Sequence, residues 1–440
     1  MPMTPTNASV SAAAAGQANL GKAVTAATVG TVIEWYDYAL YGAASGVIIN
    51  KLFFPNLSPT TGVLAAFATF AVGYFARPIG GIVISHIGDT FGRKPALILT
   101  ITLMGLATVL MGLLPTYESI GLAAPILLVL MRLIQGFGAG AELAGAIVLV
   151  AEYAPPSKRA FYTGLPNAAT LVGIMLATLS FLLISYLPED VLLGWAWRVP
   201  FLISGALFLV AFYIRKHLDE TPEYVAAMAR AEAKRHEQRV PLGELFRNSP
   251  REVLFGFLSV TGHNANAYIL SAFSLSYMIN TVGMSRTEGL VAVTIGSLFG
   301  IAGVPIMGAL ADRIGSATVY AGGALFVLLL AYPLFWMFDT HSVVWSTVGI
   351  GLGYGIGFGA MAGAQGAFLA NLFPTRYRFS GLAMSRELNG VLVAGPTPLI
   401  AASLVAAADG KPTFVAAYLM ACCALTILAV LMIKHRSVHD

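Results

Sequence analysis

The side chains that could do chemistry in this sequence are few, and nearly all of them interrupt long apolar runs. The run 24–50 carries Glu34, Asp37, Tyr38 and Tyr41. Their spacing of i, i+3, i+4 and i+7 places them on one face of a helix. Such a polar face should line a cavity rather than meet lipid, because an ionisable group in a bilayer is costly unless it pairs or reaches water. A carboxylate in that cavity can carry a proton; alternatively, the two acids hold neighbouring helices through arginines. The run 123–151 adds Arg132, Gln135 and Glu142, also near one face. Around them Gly136, Gly138, Gly140 and Gly145 leave a smooth surface for close helix approach. Arg132 stays charged and can grip a carboxylate through two parallel hydrogen bonds, or it can pair with Glu34, Asp37 or Glu142.

Two later runs supply the rest. Residues 379–407 include Arg386, Glu387 and Asn389; this arginine can bind a carboxylate of a substrate or pair with an acid. Residues 252–282 include His263, Asn264, Asn266 and Tyr268, with His263 and Asn266 on a shared face. A histidine facing a cavity can exchange protons near neutral pH. Gln365 and Asn167 are further hydrogen-bonding candidates. Arg77, immediately before Pro78, reads as structural. Arg198, following Trp195 and Trp197, reads as an interfacial residue within an aromatic belt, snorkelling to the membrane surface. No His/Asp cluster has metal-ligand spacing, and no Ser or Cys stands out as an activated nucleophile. The expectation is therefore not an enzyme, with no metal and no cofactor.

The elements that must position these residues follow from composition. The chain has 440 residues, 57% of them hydrophobic and 10% charged, against roughly 25% charged in ordinary soluble domains. Mean hydropathy is +0.78. A soluble surface cannot absorb that much apolar sequence, so most of the chain belongs in a membrane. Disorder, nucleic-acid binding and a soluble catalytic domain are excluded for most of its length. A spanning helix needs roughly 20 apolar residues, and the runs here are continuous rather than alternating, so helices are expected and a β-barrel is not. The net charge of +4 belongs to loops. Cys422 and Cys423, adjacent within an apolar run, read as packing residues.

Apolar runs fall at 24–50, 60–86, 96–115, 123–151, 164–187 and 198–216, then at 252–282, 289–311, 318–338, 343–372, 379–407 and 413–433. The expected organisation is an all-α membrane protein: a disordered cytoplasmic tail 1–22, a six-helix bundle 23–216, a cytoplasmic linker 217–251, a second six-helix bundle 252–434 and a tail 435–440. If both termini are cytoplasmic, that side holds 18 basic residues and the other holds 4, Lys51, Arg198, Arg286 and Lys411. This bias supports an N-in, C-in orientation. The bundles echo each other: Asp89-Thr90-Phe91-Gly92-Arg93-Lys94 follows the second run, and Asp312-Arg313-Ile314-Gly315 follows the eighth. Pro156-Ser157-Lys158-Arg159 precedes the fifth, and Pro374-Thr375-Arg376 precedes the eleventh. Two related halves are the layout of a rocking transporter.

Six plus six helices with D-x-x-G-R-K after the second resemble the major facilitator superfamily over nearly the whole chain. Several strings are similar to its metabolite:proton symporter family: Gly30-Thr31-Val32-Ile33-Glu34-Trp35-Tyr36-Asp37, Arg77-Pro78-Ile79-Gly80-Gly81, Arg132-Leu133-Ile134-Gln135-Gly136-Phe137 and Asp219-Glu220-Thr221-Pro222-Glu223. The first half is most similar to bacterial shikimate transporters. The resemblance implies a major facilitator fold of 12 transmembrane helices in two pseudo-symmetric bundles. It implies coupling or substrate contact for Arg132, and a cytoplasmic gate of Asp89, Gly92, Arg93, Lys94, Glu152, Arg159, Asp312, Arg313, Gly315 and Arg376. Thr90 departs from the usual basic residue, and Arg386-Glu387 departs from the pair usual in shikimate-type members.

The function expected is proton-coupled import of a small organic acid, shikimate or a related carboxylate, by alternating access across a bacterial inner membrane. The partners expected are that acid, the proton and the lipid bilayer, with no nucleic acid, and with the monomer as the working unit. A 2-oxoglutarate, citrate or aromatic-acid transporter is the alternative. A betaine or proline symporter is weakened because only about seven polar residues follow the last run. A membrane sensor would need a signalling domain that 217–251 is too short to form.

Overall fold

A computed structural model describes the backbone of residues 7–91, 93–140, 147, 150–151, 154–217, 242–374 and 378–436. Among the described residues there is no strand; helices fall on all twelve apolar runs. In a bilayer a helix satisfies its backbone polar groups within itself, which is why long apolar sequence adopts it. The first bundle consists of α1 (Asn7–Ala44), α2 (Pro59–Phe91), α3 (Arg93–Leu113), α4 (Ala123–Gly138), α5 (Arg159–Ser185) and α6 (Arg198–His217). The second consists of α7 (Pro250–Tyr268), α8 (Arg286–Ile314), α9 (Ser316–Asp339), α10 (Val343–Leu352), α11 (Arg378–Asn389) and α12 (Thr413–Arg436). Eight helices, among the described residues, are long and apolar enough to cross a membrane.

Helix α1 begins at Asn7, inside the stretch expected to be a disordered tail. Its alanine-rich sequence is among the strongest of helix formers. Residues 218–241 of the expected linker lie outside the described residues. The linker ends in a short helix, Leu242–Asn248, whose Leu245 is buried with Val253 and Phe373. At the start of α8, Ser285 and Glu288 close a capping box: the Ser285 hydroxyl accepts from the Glu288 N–H at 3.2 Å, and the Glu288 carboxylate accepts from the Ser285 N–H at 2.9 Å.

Glycine sets how closely the helices approach. A Cβ at Gly136 on α4 would strike the backbone carbonyl of Gly73 on α2, and one at Gly80 would strike that of Phe137. The second bundle repeats the device between α8 and the continuation of α10: Gly303 lies on the Gly355 carbonyl, and Gly363 lies on the backbone of Val304 and Gly308. The smooth α4 surface expected from sequence is thus met by a second glycine surface. Widened π turns interrupt α7 at Ile269–Phe273, α10 at Gly353–Phe358 and α11 at Gly390–Ala394, and one extends α1 at Ser45–Ile49.

The two bundles meet along α5 and α8. Gly164 and Gly308 permit close contact near one end, and the Thr178 and Thr294 hydroxyls bond at 2.9 Å further along. We term the end where α1 begins and α12 finishes the terminal end. At the opposite end Glu189 of the first bundle pairs with Lys51 at 2.9 Å and with Arg286 of the second bundle at 3.5 Å. Also at that end, Asn280 donates to the Gly46 carbonyl across the bundles.

Gly136→Leu forces side-chain volume into a backbone contact and should destabilise the protein by ~1–3 kcal/mol. A lowered thermal midpoint in detergent would register this, whereas Gly322→Ala, with no atom within 4 Å of its new Cβ, should leave the midpoint unchanged or slightly raised, because alanine is the better helix former.

Candidate functional site

The middle of the molecule holds an arginine between two acids. Arg77 on α2 lies with Nη2 3.7 Å from Glu34 Oε1 on α1, and with Nε 3.6 Å from Glu387 Oε2 on α11. The guanidinium carbon sits 5.3 Å from the Tyr38 ring centroid and 5.5 Å from that of Tyr74, within cation–π range. Glu34, Tyr38, Tyr74 and Arg77 belong to the first bundle and Glu387 to the second, so this ion pair crosses between them. The Tyr74 hydroxyl donates to the Tyr268 hydroxyl of α7 at 2.5 Å. Trp35 and Phe70 stand 6.2 Å and 6.1 Å from the Tyr268 ring. Aromatic faces from both bundles thus surround the charges.

Arg132 is fully buried and boxed by rings, with Tyr41 at 4.3 Å and Tyr38 and Phe70 at 5.2 Å. It donates to the Phe70 carbonyl at 3.1 Å and to Gln135 Oε1. Gln135 in turn donates to Thr108 at 2.8 Å and to the Asp37 carbonyl at 3.3 Å. Among the described residues no carboxylate lies within 4 Å of Arg132, so pairing with Glu34 or Asp37 is not what the structure holds. The stripe expected on α1 divides. Glu34, Tyr38 and Tyr41 face the arginines of α2 and α4, while Asp37 is buried against α6 and accepts from the Ser204 hydroxyl. Successive helix positions turn by about 100°, so residues 37 and 38 necessarily address different neighbours.

In the second bundle Arg386 donates to Gln365 Oε1, and Gln365 donates to the Tyr320 hydroxyl at 3.1 Å, which donates to the Ser259 carbonyl at 3.0 Å. This chain orients a half-buried guanidinium that, among the described residues, has no carboxylate within 4 Å. His263 is buried and stacks on Phe358 at 4.7 Å with its Nδ1 lacking a hydrogen-bond partner. Asn266 donates to the Gly353 carbonyl at 3.2 Å. Asn389 turns away from the centre: its amide donates to the Phe257 carbonyl and Thr261 and accepts from Asn264, tying α11 to α7. Asn167 donates to the Ala362 carbonyl across the bundles at 3.0 Å. Among the described residues no three His, Cys, Asp or Glu side chains converge as a metal site.

At the terminal end Asp312 accepts from the backbone N–H groups of Ala160 (2.8 Å) and Phe161 (3.0 Å) in the first turn of α5. A carboxylate is favoured there because the first N–H groups of a helix lack internal partners and its dipole is positive at that end. Asp312 therefore caps a helix of the other bundle, and among the described residues it has no arginine partner within 4 Å. Gly315 ends α8 with φ at +96°, a conformation that favours glycine. Arg159 is partly buried and Arg313 exposed. Gly92, Glu142, Glu152 and Arg376 lie outside the described residues, as do the side chains of Asp89, Arg93 and Lys94. Arg198, expected to snorkel, instead donates to the Gly112 and Leu114 carbonyls at 2.8 and 2.7 Å, closing the end of α3.

Sequence reasoning passed over Arg77, Tyr74, Ser204 and Tyr320 as site residues. Arg77 carried a signal, a charge deep in an apolar run, but its partner stands 310 positions away on the other bundle. The hydroxyl residues carried none.

The apolar helical bundles with charges buried at their centre have the architecture of a multi-pass membrane protein. The family model of the major facilitator superfamily matches residues 27–396, and the chain belongs to that family. The shikimate transporter of Escherichia coli (strain K12) is 36% identical over 420 residues, covering 94% of each chain. The proline/betaine transporter of Salmonella typhimurium is 34% identical over 395 residues, covering 88% of this chain and 78% of the relative. A crystal structure of a D-xylose-proton symporter shares the fold, with a TM-score of 0.70 at 19% identity, over 93% of this chain and 96% of the other.

Replacing Asp312 by Ala should remove the cap on α5, an effect of about 1–2 kcal/mol for capping residues. Tryptic cleavage after Lys158, the exposed residue preceding α5, should then accelerate severalfold. Asp312→Asn, which keeps an acceptor, should fall between that variant and wild type.

Proposed function

We propose that this protein is a proton-coupled symporter that imports a small organic anion across the bacterial inner membrane by alternating access, with the terminal end facing the cytoplasm. The observation that carries the reading is Arg386. It is half-buried, oriented by Gln365, and among the described residues has no carboxylate within 4 Å. A guanidinium held this way is a bidentate seat for a carboxylate. Charge balance supports the same reading. The described central groups are Arg77, Arg132 and Arg386 against Glu34, Asp37 and Glu387. One proton on any of these acids leaves one positive charge, which a bound monoanion cancels. The loaded centre then crosses the membrane close to neutral, where a net charge would be costly.

Shikimate or a related monocarboxylate fits this count better than citrate or 2-oxoglutarate, whose additional charges need additional protons. The similarity to a shikimate transporter points the same way. Betaine or proline is the second reading, favoured by the proline/betaine relative. A quaternary ammonium needs open aromatic faces, and the rings of Tyr38, Tyr41, Phe70 and Tyr74 already lie against Arg77 and Arg132. No cofactor enters the scheme, and the monomer contains every group it uses. The gate is assigned to the terminal-end contact of Asp312 with α5.

Uptake into proteoliposomes of shikimate, 2-oxoglutarate, citrate, an aromatic acid and betaine tests this reading. Under an inward proton gradient shikimate or another monocarboxylate should accumulate, and a protonophore should abolish accumulation. Arg386→Gln should raise the apparent KM at least ~30-fold, as expected for losing a buried charged partner, while Arg386→Lys should recover part of the loss. Gradient-driven accumulation of betaine alone would overturn the assignment.

A further inference from the structure

Arg77 has two acidic neighbours among the described residues, and they differ in one respect that matters for a rocking molecule. Glu34 sits on α1 of the same bundle, as do the Tyr38 and Tyr74 rings that flank the guanidinium. Glu387 is the neighbour from the other bundle. At 3.7 and 3.6 Å both contacts are longer than the ~2.7–2.9 Å of a direct charge-assisted hydrogen bond, so the cation is shared. The side chain of Glu387 is also the wettest of the three, 20% exposed against 8% for Arg77 and 3% for Glu34.

Parting the bundles at this level has unequal consequences. Arg77 keeps Glu34 and both rings. Glu387 loses its cation. Its neighbour Arg386 stays within electrostatic reach but, among the described residues, forms no ion pair with it and is engaged with Gln365. An anionic Glu387 would then stand without its ion pair in the membrane interior, which is disfavoured; a protonated Glu387 would lose far less.

Resting on the symport reading, we propose that Arg77 is an inter-bundle switch and Glu387 the acid whose proton licenses the bundles to part. In the closed arrangement Glu387 is anionic and held by Arg77. On taking a proton from solution onto a carboxylate oxygen it becomes neutral, Arg77 falls back on Glu34, and the bundles separate at this level. When the proton leaves, the cross-bundle pair re-forms. A substrate anion on Arg386 lies one residue from Glu387 and disfavours a second negative charge there, so anion and proton travel together. The charged and titratable groups that face Glu387 or its partners are Arg77 and Tyr74 on α2, Glu34 and Tyr38 on α1 and Arg386 on its own helix, with Tyr268 of α7 bonded to Tyr74 and His263 of α7 within electrostatic reach of Arg386. Of these only Arg77 forms an ion pair across the bundles with Glu387 among the described residues. Asp37, held by Ser204 within the first bundle, has no such link to the second among the described residues and is not assigned the switch.

The test reads the distance between bundles, which needs no substrate. Spin labels are placed at the exposed positions 157 and 247, with Cys422 and Cys423 replaced by Ala, and pulsed electron–electron distances are measured in proteoliposomes at pH 5.5 and 8.5. The wild-type chain should shift its distance distribution between the two pH values. Glu387→Gln should hold the low-pH distribution at both, and Glu387→Asp should restore the shift and so report a folded chain. In transport, Glu387→Gln should retain substrate exchange within about threefold while gradient-driven accumulation falls to the exchange level. A wild-type chain with no pH shift, or a Glu387→Gln chain that shifts like wild type, overturns the proposal. Absence of gradient-driven uptake of any acid by the wild type would instead sink the symport reading, and the distance measurement would still decide the switch.

Discussion

A charge in the membrane interior has no water to retreat to, so it needs a partner in every state through which the molecule passes. That constraint organises the centre of this protein. Arg132 is enclosed by three rings, a glutamine and a carbonyl, all within its own bundle. Asp37 is likewise served from within its bundle, by Ser204. Among the described arginines, Arg77 alone shares its charge between a partner at home and a partner across the divide. The opposite end of the molecule shows the same arrangement with the signs exchanged: Glu189 holds Lys51 of its own bundle and Arg286 of the other. In both places the cross-bundle contact can break without stranding the group shared between them.

Much of the architecture was legible in the sequence, because a bilayer permits so few backbone solutions. The twelve apolar runs could only be helices, and the helical period brought Glu34, Tyr38 and Tyr41 to one face. The glycines of the fourth run announced a close neighbour and were met by Gly73 of α2. What sequence periodicity cannot supply is the identity of the partner. Asp37 shares the stripe by spacing yet lies at its edge, and packing decided that it meets α6. Arg77 looked structural because its acid, Glu387, comes from a helix brought beside it only by assembly of the two bundles. Asn389 looked like part of the site because it neighbours Arg386 and Glu387, but its amide is spent on α7. The alanine-rich start of the chain read as a tail for want of apolar length, although local propensity favoured helix.

The glycine seams and π turns divide mechanical labour. Where α2 meets α4 and α8 meets α10, backbone lies on backbone and little can slide, so each bundle has a stiff spine. Besides those at Leu192–Ala196 and Met278–Val282, the π turns among the described residues fall in α7, α10 and α11 and at the end of α1, helices that also bring groups to the centre or to the bundle interface. Such widened turns are frequent at functional sites because they relax the backbone ladder locally without breaking the helix. Rigid spines and locally compliant site helices together fit a molecule that moves as two bodies while adjusting around its cargo.

The cap that Asp312 places on α5 also bears on how the molecule is made. The backbone groups it satisfies belong to a helix synthesised 152 residues earlier, and domains generally fold from the N-terminal end as the chain emerges. Until α8 has been inserted, the opening turn of α5 must turn its N–H groups to water or headgroups. The first bundle therefore leaves the ribosome one carboxylate short of completion. Its finishing residue arrives with the second bundle, so the order of biogenesis is written into the interface along which the finished protein later works.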